Sequence, residues 1–287
     1  MYKRISGALH LLLLVVLLGT GGSLIHLINN SEVSVVPTAT STLTPIPSVP
    51  PALDTAADSG WSRLQPGLER RVIRIYGEKN QQVEALHIWR FDQKYFRMDI
   101  AYDKTPKTLE TWQMETNALM VVNGGYYGVE NENYFPIGRT IVNGKASGSS
   151  IYGYGGMLAI NASSAELRWL AQRPYNPTEP LQAALQSFPI LVKPGGELGF
   201  GAERENNVKS RRTALGQDKD GRILLIIAPQ GYFTLHQLSV YLTESDLHLD
   251  IAVNLDGGGS TGIMVASPLE IIHTRRAIPF VILVYAR

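Results

Sequence analysis

The sequence predicts an α+β domain built on a mixed, largely antiparallel sheet with a few packed helices, preceded by an N-terminal hydrophobic segment and a disordered linker. Short apolar segments with period-two alternation recur after about residue 61, few segments show helical spacing, and strands and helices do not alternate regularly. The absence of cysteine excludes disulfides and thiolate metal sites. A net charge of +1 gives no electrostatic case for nucleic acid as a partner.

The first 30 residues are predicted to direct export. Lys3 and Arg4 precede an apolar stretch over 5–28, which at about 1.5 Å per residue can cross a bilayer core of about 30 Å. A positive flank stays inside, so the rest of the chain is expected outside. Residues 1–30 are therefore a signal peptide or an N-terminal membrane anchor. The protein is expected to be cell membrane-anchored with an extracytoplasmic domain, or secreted.

Residues 31–60 are rich in Pro, Ser, Thr and Ala. Such a stretch buries too little apolar surface to offset its ordering entropy, so it is predicted to be a disordered linker. The folded domain is then predicted to cover 61–287.

Within that domain, most predicted elements are strands. Period-two or continuous apolar runs predict strands over 68–75, 82–91, 95–102, 119–122, 157–160, 166–170, 223–227 and 280–285. Asn143-Gly144 signals a hairpin between Val142 and Lys145. Helices are predicted over 108–115, over 181–186 and after Thr234.

The most informative stretch is a strand that runs into a carboxylate and three glycines. Alternating apolar residues from Ile251 to Leu255 predict a half-buried strand, and Asp256 follows directly. The amides of consecutive glycines can converge on an anion, because no Cβ restricts the backbone. The candidate binding residues here are Asn254, Gly257, Gly258, Gly259 and Ser260. A glycine-rich turn capped by Asp256 is the alternative interpretation.

Two other segments could complete such a site. Arg211-Arg212-Thr213 offers guanidinium groups, which bind phosphate in a fork, although a solvated basic surface explains the pair equally well. Asn123, at a second strand-to-glycine turn with Gly124 and Gly125, could orient a sugar hydroxyl or a phosphate oxygen. Asp256 beside these groups could serve as acid, base or nucleophile.

Three other chemistries are weaker. No histidine pair shows the spacing of a metal motif, so no metal site or cofactor is predicted, and a divalent metal is left open. Residues 258–262 match G-x-S-x-G, but a nucleophile elbow needs a helix after Ser260, and its only later partners, Glu270 and His273, are crowded close to it. Glycosidases ordinarily use two carboxylates, and Glu203 and Glu205 are more typical of loop charges.

Several blocks, in order, resemble the phosphodiester glycosidase family. These blocks are Val121-Val122-Asn123-Gly124-Gly125-Tyr126-Tyr127, Pro136-Ile137-Gly138, Asn143-Gly144-Lys145, Ser187-Phe188-Pro189-Ile190-Leu191-Val192, Arg212-Thr213-Ala214-Leu215-Gly216 and Asn254-Leu255-Asp256-Gly257-Gly258-Gly259-Ser260. The resemblance covers roughly 83–287, with Ser187 and Phe188 departing from the usual small residues. The absence of cysteine departs from the animal enzyme and favours a bacterial member.

The resemblance implies a hydrolase that cleaves a sugar-1-phosphodiester into free sugar and a phosphomonoester. Asn123, Arg212 and Asp256 become the expected catalytic residues, and Thr213 joins the expected substrate-binding set. The expected partner is a glycosyl phosphodiester or phosphate-containing glycopolymer, with the membrane contacted through the N-terminal segment. A non-catalytic binding module for anionic cell-surface polysaccharide is the alternative, and a phosphodiesterase that cuts the other P–O bond is a third hypothesis.

Overall fold

The computed structural model describes residues 58–150 and 155–287, which contain twenty strands and two α-helices. In chain order the strands are Ser62–Gln65 (β1), Leu68–Tyr76 (β2), Gln82–Phe91 (β3), Phe96–Lys107 (β4), Met120–Asn123 (β5), Tyr127–Glu130 (β6), Asn133–Pro136 (β7), Thr140–Val142 (β8), Lys145–Ser147 (β9), Gly156–Ile160 (β10), Ala165–Trp169 (β11), Ala183–Ser187 (β12), Ile190–Lys193 (β13), Glu197–Leu198 (β14), Arg212–Asp218 (β15), Ile223–Ala228 (β16), Leu249–Asn254 (β17), Ile263–Ala266 (β18), Leu269–Ile272 (β19) and Ile278–Ala286 (β20). The helices are Leu109–Thr116 (α1) and Leu235–Glu244 (α2).

The strands form one large sheet, two medium sheets and a hairpin. The eight-stranded sheet has the order β1-β2-β3-β16-β15-β17-β13-β14. The two five-stranded sheets have the orders β11-β10-β12-β8-β9 and β19-β18-β5-β20-β4, and β6 pairs with β7. Every strand pairing within the described residues is antiparallel. The predicted antiparallel character is confirmed, and the parallel component of a mixed sheet is not found in these strands.

The predicted N-terminal segment (1–30) and most of the linker (31–60) lie outside the described residues. The fold includes Asp58, which forms an isolated bridge to Ile73. Within residues 58–150 and 155–287, no helix is both long enough and apolar enough to cross a membrane.

The central strands of the eight-stranded sheet are buried on both faces, which explains why the sequence of β16 is apolar throughout. Ile223, Leu225 and Ile227 enter one core cluster, while Leu224 and Ile226 enter another on the opposite face. Successive side chains of a strand point to opposite faces, so a strand covered on both sides reads as a continuous apolar run. The second cluster includes Leu238, Tyr241 and Leu242 of α2, so this helix covers one face of the sheet.

The two helices that the sequence predicted correctly both begin after a threonine N-cap. The Thr108 hydroxyl accepts a hydrogen bond from the Thr111 amide at 3.2 Å. Thr234 and Gln237 form a reciprocal capping box at the start of α2. Unpaired amides of the first helical turn need such partners, which is why short polar residues predicted these starts correctly.

The predicted helix over 181–186 is wrong, because this segment forms β12. All five residues of β12 are buried, and the strand pairs with β10 on one side and β8 on the other. Its Ala-Ala-Leu-Gln sequence favours a helix intrinsically. Hydrogen bonds to two neighbouring strands and burial on both faces outweigh that local preference of a few tenths of a kcal/mol per residue, roughly.

Strands from two different sheets end beside each other and create the candidate site. β5 is the central strand of one five-stranded sheet and ends at Asn123. β17 lies inside the eight-stranded sheet and ends at Asn254. The backbone after β17 is joined to the turn after β5, because the Asp256 amide donates to the Gly124 carbonyl at 3.1 Å.

Candidate active site

Asn123 connects the two sheets at the candidate site. Its Oδ1 accepts hydrogen bonds from Thr213 Oγ1 at 2.8 Å and from the Gly262 amide at 3.1 Å. Its Nδ2 donates to the main-chain carbonyl of Asp256 at 2.7 Å. The side chain is 1% exposed, so these contacts satisfy a buried amide. The structure thus brings Asn123 to the site but turns its amide toward the chain, and a direct contact with sugar stays a prediction.

The carboxyl group of Asp256 is dehydrated yet reachable. Burial raises its pKa to about 6, because loss of hydration penalises the ionised form. A hydrogen bond from Ser260, another from the Gly257 amide (2.8 Å) and the charge of Arg276 act in the opposite direction. Part of the residue is still accessible to solvent. A carboxyl group of this kind can exchange a proton near neutral pH.

The expectation that the amides of Gly257–Ser260 converge on an anion is corrected for three of the four. The Gly257 amide donates to its neighbour Asp256, and the Gly258 amide donates to the Arg211 carbonyl at 2.8 Å. The Ser260 amide donates to the Gly257 carbonyl at 3.1 Å. Within the described residues, the Gly259 amide alone among the four has no hydrogen-bond acceptor in the chain. Three of the four amides are therefore already hydrogen-bonded within the protein and do not point together at a ligand anion.

Close packing at Gly257 and backbone geometry at Gly258 favour glycine in this turn. A Cβ on Gly257 would lie 2.7 Å from the Arg211 carbonyl oxygen, which cannot move without shifting the start of β15. Gly258 has a φ of +58°, a backbone conformation that side chains disfavour. A Cβ on Gly259 would lie 2.5 Å from Nε of Arg276. The missing side chains thus let the turn approach one arginine on each side.

Arg211 and Arg212 are both buried, which excludes the solvated-surface interpretation. The Arg211 guanidinium donates to Pro229 O at 2.9 Å and to His273 O at 3.0 Å. Burial, followed by the nearby charge of Arg275, lowers its pKa from the ordinary value. The hydrogen-bond acceptors of this guanidinium are uncharged carbonyls, and only the more distant charge of Glu84 favours its charged form.

Arg212 is likewise a buried guanidinium whose hydrogen-bond acceptors are main-chain carbonyls. It is 8% exposed and donates to Phe233 O at 3.3 Å and to Val208 O at 2.6 Å. Burial lowers its pKa, and the groups that favour its charged form are Tyr126 and Glu205. Across 58–150 and 155–287, no carboxylate lies within 4.0 Å of either Arg211 or Arg212. Buried guanidinium groups without carboxylate partners are suited to an anionic ligand.

Sequence reasoning missed Arg275 and Arg276. The Arg275 amide donates to the Gly259 carbonyl at 2.7 Å, and the Arg276 guanidinium packs on Gly259. The only sequence signal was an adjacent arginine pair. Arg70 and Arg71 show the same pattern but are bound to Glu270, Asp58 and Asp246 as structural ion pairs. The presence of two adjacent arginines in the sequence therefore could not distinguish a candidate site residue from a structural ion pair.

The other predicted binding residues line the junction mainly through packing. Thr213 is fully buried against Asn123, and Asn254 Nδ2 donates to Tyr126 Oη at 2.7 Å. The Gly124 amide donates to Phe280 O at 2.9 Å, and a Cβ on Gly125 would lie 3.3 Å from Gln186 O. These residues support the site, and none of these contacts tests a direct role in binding.

The remaining candidates from sequence have structural partners. Glu205 accepts amides of Asn206, Asn207 and His236, and Glu203 lies on an exposed turn. Ser260 is followed by β18 and not by a helix. Glu270 binds Arg70, and His273 faces Glu110, which leaves no serine triad. No group of three or more His, Asp or Glu side chains in the described part of the chain is arranged to hold a metal ion.

Comparison with known families identifies the chain. A family model described as phosphodiester glycosidase matches residues 116–285. The match spans the turn at Asn123, the arginine pair at the start of β15 and the Asp256 turn. The chain belongs to the phosphodiester glycosidase family.

Solved structures share the fold. The catalytic domain of zebrafish N-acetylglucosamine-1-phosphodiester α-N-acetylglucosaminidase, auto-inhibited by its pro-peptide, superposes with a TM-score of 0.62 at 19% identity, over 79% of this chain and 86% of that one. A Synechocystis protein matches with a TM-score of 0.54 at 13% identity, over 79% and 63%. A Burkholderia pseudomallei protein matches with 0.53 at 14%, over 72% and 74%. No curated protein sequence matches the chain.

Proposed function

We propose that the protein hydrolyses a glycosyl phosphodiester, for example of the N-acetylglucosamine-1-phosphodiester type, to free sugar and a phosphomonoester. The observation that carries the proposal is the Asp256 carboxyl group, whose pKa burial raises to about 6 although the charge of Arg276 acts in the opposite direction. The turn that bears this group is hydrogen-bonded through the Gly258 amide to the backbone of Arg211, which precedes the buried Arg212. Membership of the phosphodiester glycosidase family supports the same reaction.

Asp256 is proposed as the general base. At neutral pH a carboxyl group with a pKa of about 6 is mostly ionised and can accept a proton. It takes a proton from water while the water oxygen bonds to the anomeric carbon. The bond from that carbon to the phosphate oxygen breaks, and its electron pair leaves with the phosphate.

The arginines are proposed to hold the phosphate. Arg276, whose charge already acts on Asp256, and the buried Arg212 stabilise the negative charge that the leaving phosphomonoester gains. A phosphate leaving group needs less protonation than an alcohol, so a second carboxylate acid is not required. Among the described residues no other carboxylate contributes to the shifted pKa of Asp256.

Asn123 is proposed to position the base. Its hydrogen bond to the Asp256 carbonyl fixes the backbone from which the carboxyl group projects. Catalytic groups must be held close to their productive geometry, and a buried amide with three partners provides such a support.

The proposal extends to location and substrate source. The apolar stretch over 5–28 supports export, with the domain anchored to the outer side of the cell membrane or secreted. The substrate is then a glycosyl phosphodiester of a cell-surface or extracellular glycopolymer.

The test measures sugar release from a synthetic sugar-1-phosphodiester by the full-length protein. Asp256→Asn should lower kcat/KM by about 10²–10⁴-fold, the range that a general base supplies. Asp220→Asn is the matched control, because its exposed carboxylate only pairs with Arg222. Equal rates for the wild-type and Asp256→Asn proteins would remove Asp256 from the mechanism.

Two further readouts separate the alternatives. In ¹⁸O-labelled water, glycosidic cleavage puts the label on the sugar, whereas cleavage of the other bond at phosphorus puts it on the phosphate. A binding module for anionic polysaccharide would retain the ligand without turnover in the wild-type protein.

A further inference from the structure

A cavity of about 320 Å³ opens beside the Asp256 turn. One wall is the start of α1, from Thr108 to Glu110, and the other is the segment from His273 to Ala277. The lining includes Arg276, one of the groups assigned to the scissile phosphate, but does not include Asp256.

The arginine wall of this cavity is attached directly to the catalytic turn. The Arg275 amide donates to Gly259 O at 2.7 Å, and the Arg276 guanidinium packs against the same glycine. Arg211 is tied to this wall as well, because its guanidinium donates to the His273 carbonyl at 3.0 Å. One ligand molecule could therefore place a phosphate at the Asp256 turn and another of its groups in the cavity.

The charges around the cavity are unbalanced. Arg275 and Arg276 are exposed, and neither has a carboxylate within 4.0 Å in the described part of the chain, although the charge of Arg276 acts on the more distant Asp256. Glu110 is the carboxylate of the lining, and it faces His273 Nδ1 at 3.1 Å. The Glu110 carboxylate thus contacts the His273 imidazole and not the guanidinium group of Arg275 or Arg276.

Arg275 also lies close enough to Arg211 to disfavour the charge of that buried residue. Like charges held close together repel, and a bound anion relieves that repulsion. The whole chain carries a net charge of only +1, so this concentration of positive charge is local.

We propose that the cavity is a second anion subsite, in which Arg275 binds a further phosphate or carboxylate on the alcohol side of the scissile phosphodiester. This inference rests on the proposed function and refines its substrate class. The preferred substrate is a polymer or oligomer with repeated negative charges, and an isolated phosphodiester occupies only the inner site.

The kinetic test uses the full-length protein and two synthetic substrates. Both are the same sugar-1-phosphodiester, one with a neutral alkyl alcohol and one whose alcohol carries a second phosphate. The wild-type protein should show the lower KM for the doubly charged substrate. Arg275→Gln should raise that KM by about five-fold, the size of a partly exposed ion pair, and abolish the preference.

Arg63→Gln is the matched control, since Arg63 is an exposed arginine of β1 without an ion-pair partner in the described residues. It should leave the preference unchanged. The same KM for both substrates in the wild-type protein would overturn the subsite, as would an equal rise for both substrates in Arg275→Gln.

A binding measurement keeps the subsite separate from the reaction. Calorimetry would compare inorganic tripolyphosphate with inorganic phosphate on the wild-type, Arg275→Gln and Arg63→Gln proteins. Selective loss of tripolyphosphate affinity in Arg275→Gln supports the subsite even if neither substrate is turned over, a result that would reject the proposed function alone. Equal tripolyphosphate affinity in all three proteins would reject the subsite.

Discussion

The side-chain amide of Asn123 donates a 2.7 Å hydrogen bond to the main-chain carbonyl of Asp256. Asn123 ends β5, whereas Asp256 lies just after the end of β17, a strand of a different sheet. The position of the candidate base therefore depends on how the two sheets are joined. Several measurable consequences follow from that junction and from the charges around it.

Activity should rise with pH through about 6. Burial raises the pKa of Asp256 to about 6, and a general base works only in its ionised form. We expect kcat/KM to increase between about pH 5 and pH 7 and then to level off. The measurement is a pH profile on a sugar-1-phosphodiester. A rate that instead declines above pH 6 would assign Asp256 the role of an acid.

Asp256→Asn should stabilise the protein at alkaline pH. The folded-state pKa of about 6 is above the ordinary aspartate pKa of 3.8, so the folded protein binds the proton more tightly than the unfolded chain. The corresponding stability is fully present below about pH 4 and is lost as pH rises through about 6. Asparagine removes the buried charge and should raise the free energy of unfolding by about 1–3 kcal/mol near pH 8.

Urea denaturation of both proteins at about pH 4 and pH 8 checks this expectation. The difference should nearly vanish at the lower pH, because Asp256 is then protonated in the folded wild-type protein. A destabilised variant at both values would mean that the carboxylate has structural partners that an amide does not replace.

Arg212 and Arg168 should respond in opposite ways when each is changed to Gln. Both are buried, at 8% and 4% exposure, but Arg168 is bound to Glu166 and Glu179, while Arg212 has only carbonyl partners. Arg212→Gln should lower kcat/KM by about 10²–10³-fold, as expected for a group that stabilises developing charge. Its unfolding free energy should change little, because the cost of burying the charge is removed together with two hydrogen bonds to carbonyls.

Arg168→Gln should instead lower the unfolding free energy by about 1–3 kcal/mol with kcat/KM nearly unchanged, since Glu166 and Glu179 lose their buried partner and keep only the exposed Arg173. Kinetics and urea denaturation of both variants provide the comparison. If Arg212→Gln loses stability and keeps activity, Arg212 is a structural residue.

Asn123→Ala should lose both stability and activity. The change leaves Thr213 Oγ1, the Gly262 amide and the Asp256 carbonyl without their partner in a buried position. We expect a loss of about 2–4 kcal/mol in unfolding free energy and at least a ten-fold fall in kcat at temperatures where the variant is folded. Asn206→Ala is the control, because its exposed side chain caps only the Val208 amide.

A positioning role predicts that kcat falls more than KM rises in Asn123→Ala. A rise in KM alone would instead support the direct sugar contact that the sequence suggested.

Local sequence patterns predicted much of the fold correctly. Period-two segments gave most strands, Asn143-Gly144 gave the β8–β9 hairpin, and Thr108 and Thr234 gave the helix starts. These features depend on interactions within a few residues. The segment that became β12 was predicted as a helix because its strand state depends on two neighbours distant in sequence.

The candidate site was predicted in composition but not in arrangement. Asp256 and Arg212 were identified from the glycine turn and the arginine pair. The sequence could not show that most amides of the Asp256 turn donate to acceptors within the protein. Nor could it show that the side-chain amide of Asn123 donates to the main-chain carbonyl of Asp256. Such hydrogen bonds are decided by which backbone groups meet when distant strands pair.

By itself the sequence determined the antiparallel strand pattern, the two capped helices and the family blocks, because these are written in local residue order. Only the tertiary structure decided that Asp256 is dehydrated and that Arg211 and Arg212 are buried with no carboxylate of the described residues within 4.0 Å. It also decided that Arg275 lies near Arg211 and Arg276 near Asp256. Burial and charge proximity arise when residues far apart in the chain are packed together, and they set the pKa of the group proposed to act.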